Sequence, residues 1–99
     1  MTDRDSIVWW RARRTALLAV LGKRDCAYVY DCATVQRQAR ALRALRSVSR
    51  VFYAIKANSH PAILDAVGAA GLGFECVSRG EVERVLQAVP QLARERLLF

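Results

Sequence analysis

Lysine is scarce in this sequence: of its 16 positive side chains only Lys23 and Lys56 are lysines, and the other 14 are arginines. Cysteine, histidine and proline are also few, at three, one and two in 99 residues. A zinc site needs about four nitrogen or sulfur ligands at close spacing. Cys26, Cys32 and Cys76 include no CxxC pair, so no metal site is expected. Their odd number gives no disulfide framework either, and all three are expected as reduced, packed thiols. No apolar run approaches the roughly 18 residues of a membrane span. The longest, Ala16 to Leu21, ends at Gly22-Lys23-Arg24-Asp25. Asp3 and Asp5 precede it and no small-residue cleavage pattern follows, which argues against a signal peptide. The expectation is a cytoplasmic chain without a membrane partner. Length alone excludes a closed eight-stranded β/α barrel, which needs at least about 200 residues.

What is present begins with charge. The net +7 raises nucleic acid as a partner. The arginines, however, alternate with Ala, Leu and Val along apparent helices, which is the pattern of a solvated helix face. Ser6 can cap a helix running to about Leu21, stopped by Gly22. Trp9 and Trp10 on it are large enough to demand a packing partner. Ala27-Tyr28-Val29-Tyr30 has the composition of a short strand. From Thr34 to about Arg46, Val35, Ala39, Leu42 and Leu45 share one helix face, and Arg37, Arg40, Arg43 and Arg46 lie mostly on the other. Val51 to Lys56 is strand-like. Pro61 opens a helix that Gly71 closes. Gly73 to Val77 is a further strand, and Ser78 caps a helix from Gly80 to about Val89, stopped by Pro90. Arg96 to Phe99 begins another strand.

The order from Ala27 is therefore β, α, β, α, β, α, β. Strands alternating with helices of this length form βαβ units and a parallel sheet. Two regions are expected: residues 1–26, a helix and linker, and residues 27–99, the first part of a larger α/β domain.

Lys56 is the leading candidate for chemistry. Arginine cannot replace lysine in imine formation, because the guanidinium stays charged whereas an amine can lose its proton and attack a carbonyl. Period-2 alternation places Phe52, Ala54, Lys56 and Asn58 on one face. The small Ala54 leaves space beside the lysine, and Lys56 sits at the C-terminal strand end, where α/β barrels keep their active sites. The plain alternative is a strand-end lysine snorkelling to water.

The stretch Phe52-Tyr53-Ala54-Ile55-Lys56-Ala57-Asn58-Ser59-His60-Pro61-Ala62-Ile63-Leu64 closely resembles the lysine motif of the barrel-type (fold type III) pyridoxal-phosphate decarboxylases. That family includes the diaminopimelate, ornithine and related decarboxylases. A second block, Gly71-Leu72-Gly73-Phe74-Glu75-Cys76-Val77-Ser78-Arg79-Gly80-Glu81, is similar to the family's G-x-G-F-D-x-x-S-x-G-E pattern. Lys56 followed by Ala-Asn-Ser-His-Pro looks most like diaminopimelate decarboxylase. Alanine racemases share the K-A-N but continue A-Y-G-H-G, which is absent.

The resemblance implies the N-terminal part of a (β/α)8 barrel, incomplete in this chain, with pyridoxal 5'-phosphate held as a Schiff base on Lys56. It implies that Ala54 lines the cofactor pocket and that Glu75 approaches the cofactor or Lys56 from the next strand. Glu75 departs from the family's usual Asp. An amino-acid substrate, most closely meso-diaminopimelate, and a homodimer follow from the same resemblance. So does the expectation that the phosphate cradle, the acid facing the pyridine nitrogen and the partner's cysteine lie beyond Phe99, leaving this segment inactive alone. Ornithine-type decarboxylation, racemisation, and a small basic nucleic-acid-binding module are the alternatives.

Three further residues have ordinary readings beside catalytic ones. Ser78 and Glu81 fit a capping box, His60 fits a loop, and Cys76, on the face of Phe74 and Ser78, fits a packed thiol. Gly71 and Gly73 do not form a dinucleotide fingerprint, because they close a helix and open a strand, the reverse of that motif's polarity.

Overall fold

The computed structural model describes residues 8–99, and the chain divides into two compact units, Met1–Asp31 and Cys32–Phe99. In the first unit, helix α1 spans Trp9–Ala12 and α2 spans Arg14–Leu21. The expected single helix is thus broken at Arg13, whose φ of −107° and ψ of 20° leave helical geometry. Its predicted cap, Ser6, lies outside the described residues. Gly22 ends α2 at a φ of 57°, a conformation that glycine adopts without a Cβ penalty. Trp10 stays half-exposed, with the Arg11 guanidinium 5.2 Å from its ring centroid. Among the described residues no helix is long and apolar enough to cross a membrane.

Residues 27–30 correct the sequence expectation: they form no strand. Tyr28 is 92% exposed. Strand composition needs a ladder partner to become a strand, and these residues pair with none of the three strands of the sheet. The element order is therefore α, β, α, β, α, β after the first unit.

The second unit opens with α3, Cys32–Arg43. Its Val35 and Ala39 pack inward, whereas Leu42 and Leu45, expected on the same buried face, are exposed. The helix ends at Arg43, before Leu45 could complete that stripe. Strand β1, Phe52–Ala54, leads into a 3-10 turn, Ile55–Ala57, and then α4, Pro61–Ala69. Pro61 stands at the start of α4, where its missing N–H costs nothing. At the other end the Gly71 amide donates to the Gly68 carbonyl at 3.0 Å and the Leu72 amide to the Val67 carbonyl at 3.4 Å. With Gly71 at φ 92° this is a Schellman stop, and the left-handed turn is why glycine is needed there.

Strand β2, Gly73–Glu75, α5, Arg79–Ala88, a second 3-10 turn, Arg94–Arg96, and β3, Leu97–Leu98, complete the unit. The sheet is parallel in the order β1-β2-β3, with Phe52 opposite Gly73, Tyr53 opposite Phe74 and Ala54 opposite Glu75. Gly73 is required by close approach: a Cβ there would stand 2.7 Å from both the Arg96 carbonyl oxygen and the Phe52 ring.

Helix α4 packs between α3 and α5. Its Ile63, Leu64, Ala66 and Val67 are buried, and Ile55, Leu64, Phe74, Cys76 and Val85 form the driest part of the core. Burying a side chain such as Phe74 contributes about 1.5–3 kcal/mol. Alternation along β2 then leaves Glu75 on the opposite face from Phe74 and Cys76, where it is half-exposed.

The three cysteines are free. Cys76 is packed, but Cys26 and Cys32 are exposed, contrary to expectation. Cys32 opens α3 with its thiol reaching the Ala62 carbonyl at 4.0 Å yet remaining exposed, and Cys26 lies in the irregular segment after α2, so neither is drawn into a core.

Candidate active site

Where β1 ends, the sheet delivers its lysine to the surface. Ile55, the first residue of the turn, is fully buried and anchors it, and Lys56 follows exposed. The Asn58 amide donates to the Ile55 carbonyl at 3.1 Å, closing the turn. The Tyr53 hydroxyl donates to the Asn58 carbonyl at 2.8 Å, and the His60 amide donates to Asn58 Oδ1 at 2.9 Å. His60 Nδ1 accepts from the Ala62 amide at 3.1 Å, making His60 the N-cap of α4. The path from strand to helix is thus braced at every second or third residue.

The turn also alters the expected alternation. Strand geometry stops at Ala54, so Asn58 does not continue the row of Phe52 and Ala54 but serves the turn through its carbonyl and side chain. Ala54 and Glu75 are opposite each other in the ladder, each the last residue of its strand, and both are half-exposed.

A groove of about 350 Å³ runs from Lys56 and Ser59 to Ser78, Gly80, Glu81 and Arg84 at the start of α5. Glu75 and Ala54 are not among its lining residues, and Lys56 forms no ion pair with Glu75. The entry to α5 is capped reciprocally. Ser78 Oγ accepts from the Glu81 amide at 3.2 Å, and Glu81 Oε1 accepts from the Val77 amide at 2.8 Å. Glu81 therefore performs the capping-box task, with its carboxylate bonded one residue ahead of the cap. Behind the groove, burial pushes the Cys76 thiol above its usual range, with smaller contributions from the nearby Glu81 and Glu75 carboxylates.

Ser59 and Arg84 are the groove residues that sequence reasoning missed. Arg84 Nη1 donates to Ser59 Oγ at 2.6 Å across 25 positions of sequence. One arginine among 14 carries no sign of such a pairing.

The model of the pyridoxal-dependent decarboxylase family, pyridoxal binding domain, matches residues 32–96. The chain belongs to this family. A diaminopimelate decarboxylase of Pseudomonas aeruginosa is 46% identical over 63 residues, covering 62% of this chain and 15% of that protein. An ornithine decarboxylase of Candida albicans is 28% identical over 75 residues, 76% of this chain and 16% of that protein. Antizyme inhibitor 2 of Xenopus laevis is 36% identical over 78 residues, 77% of this chain and 16% of its own length. The chain thus spans roughly 15% of the length of these relatives. No solved structure is matched by the chain.

The matched domain is the family's cofactor-binding one, and the residues present suit pyridoxal phosphate. The exposed primary amine of Lys56 can condense with an aldehyde. The groove beside it falls within the range of small-molecule sites, about 300–1,000 Å³. Ser59, Ser78 and Arg84 supply hydrogen-bond donors along it.

Proposed function

We propose that this segment supplies the cofactor-anchoring lysine, Lys56, of a pyridoxal-phosphate-dependent amino-acid decarboxylase built on a (β/α)8 barrel. The observation that carries the reading is an exposed lysine immediately after the C-terminal end of a parallel strand, at the edge of a groove, within a chain of this family. Residues 27–99 are the N-terminal portion of that barrel, preceded in the chain by α1 and α2.

Bound pyridoxal phosphate supplies an electron sink for the pair left when a substrate carboxylate departs as CO2. Lys56 would provide the amine that holds it, and a free ε-amine there would be placed to move a proton. Ala54 keeps the strand end unobstructed. Glu75, opposite Ala54, turns its carboxylate toward the same face, and its extra methylene relative to Asp extends that reach.

The substrate proposed is meso-diaminopimelate, giving L-lysine. The Lys-Ala-Asn-Ser-His-Pro run supports it, as do identities of 40–50% to diaminopimelate decarboxylases against 28–37% to ornithine decarboxylases. An ornithine-type activity is the second reading, favoured by the longer stretch matched to the ornithine decarboxylase of Candida albicans. The enzyme is proposed to be a cytoplasmic homodimer without nucleic-acid or membrane partners.

The experiment is borohydride reduction of the full-length protein expressed with pyridoxal phosphate, followed by peptide mapping. A pyridoxyl adduct on Lys56, its loss in Lys56→Ala, and CO2 release from meso-diaminopimelate in preference to ornithine are expected. A folded protein with no adduct at Lys56 overturns the reading. Steeply salt-dependent nucleic-acid binding, weakened by Arg37→Ala and Arg40→Ala, would then favour the basic module.

A further inference from the structure

The groove beside Lys56 has a neighbour. A second hollow of about 370 Å³ is lined by Ser59, Pro61, Arg84, Gln87 and Ala88. Ser59 and Arg84 are the two residues that line both hollows. They are also bonded to one another, Arg84 Nη1 to Ser59 Oγ at 2.6 Å. A hydrogen-bonded pair is therefore the wall between the lysine groove and the outer hollow.

The two ends of this wall belong to different kinds of structure. Arg84 stands in the second turn of α5, a helix held to the core by the fully buried Val85. Ser59 belongs to the loop that carries Lys56 three positions earlier. Three other bonds of that loop, Tyr53 to Asn58, His60 to Asn58 and Ala62 to His60, are local, made within residues 53–62. Arg84 to Ser59 is a side-chain bond that ties the loop to α5. Without it the loop keeps its internal shape but loses its fixed distance from the start of α5, and the groove loses its outer side.

We propose that Arg84 is a positioning residue: through Ser59 it holds the Lys56 loop against α5 and closes the outer side of the cofactor groove. The inference rests on the reading of Lys56 as the cofactor-anchoring lysine. Arginine suits the task because its fork reaches across a gap and keeps its charge at any working pH.

The test is pyridoxal-phosphate titration of the full-length apo protein, followed by the visible absorbance of the loaded lysine. Arg84→Met and Ser59→Ala are each expected to weaken cofactor binding about three- to tenfold, the range of an ordinary intramolecular hydrogen bond, since this one is solvent-exposed. The double variant is expected to be no weaker than the weaker single one, because both remove the same bond. Arg84→Lys, which keeps a donor, should recover part of the loss. The pH at which the absorbance changes should move in Arg84→Met and return toward the wild-type value in Arg84→Lys, a response that a purely structural arginine would not produce. Wild-type titration by Arg84→Met, or additive losses in the double variant, overturns the positioning role while leaving Lys56 loading intact. Failure of the wild-type protein itself to load on Lys56 overturns the cofactor reading and this inference together, so the two failures are distinguishable.

Discussion

The Tyr53 hydroxyl reaches over the turn that carries Lys56 and donates to the Asn58 carbonyl at 2.8 Å. Tyr53 lies on the helix-covered side of β1 with Phe74 as its ladder partner, so its ring is held by packing while its hydroxyl reaches the turn. Tyr53→Phe keeps the ring and removes the bond. A hydrogen bond of this kind contributes about 1 kcal/mol. Opening of the turn should therefore be favoured about fivefold, read as faster hydrogen exchange of the Asn58 amide, with little change in the exchange of β2. An unchanged Asn58 amide would show that Ile55 burial alone holds the turn.

How much of this could be read beforehand depended on whether the controlling interaction is local. Helices α4 and α5 were legible because their signals lie within a few residues: Pro61, the Gly71 stop, and Ser78 with Glu81. The parallel order of β1, β2 and β3 followed from the alternation of those helices with apolar runs. The stretch Ala27–Tyr30 misled because strand-forming composition says nothing about whether a ladder partner stands alongside. The turn after Ala54 was hidden for a related reason. Continuing the strand would have been natural for Ile55 and Lys56, and it is the burial of Ile55 and the Tyr53 bond that bend the backbone there. Lys56 stood out through its scarcity and its motif, whereas Arg84 became visible only once folding set it beside Ser59.

Ser78 is expected to matter for stability before it matters for chemistry. Its Oγ accepts from the Glu81 amide, one half of the reciprocal cap at the start of α5. Ser78→Ala should cost about 0.5–2 kcal/mol, measured by urea unfolding of the full-length protein, and Ser78→Asp should restore most of it. Glu81→Gln keeps an amide oxygen for the Val77 amide and removes the charge, so it should cost less than Glu81→Ala. If Glu81→Gln instead abolishes turnover at unchanged stability, the carboxylate has a chemical task beside the capping one.

Cys76 gives the chain an alkaline weakness. Its thiol is 1% exposed, and burial holds its proton to higher pH than an ordinary thiol would, with Glu81 and Glu75 adding to the effect. An unperturbed thiol titrates near about 8.5. Well below that pH both the folded and unfolded states keep the proton, and the full stability is present. As pH rises through the ordinary range the unfolded chain releases a proton that the folded one retains. Stability falls until the folded thiol also ionises. Urea midpoints measured between pH 7 and 10 should therefore drop more steeply for the wild-type protein than for Cys76→Ala, whatever the offset between the two at pH 7. Thiol labelling gives an independent check. Cys26 and Cys32 are exposed and should react in the native state, whereas Cys76 should wait for unfolding. Parallel pH profiles for the two proteins would show that other groups, not this thiol, set the alkaline limit.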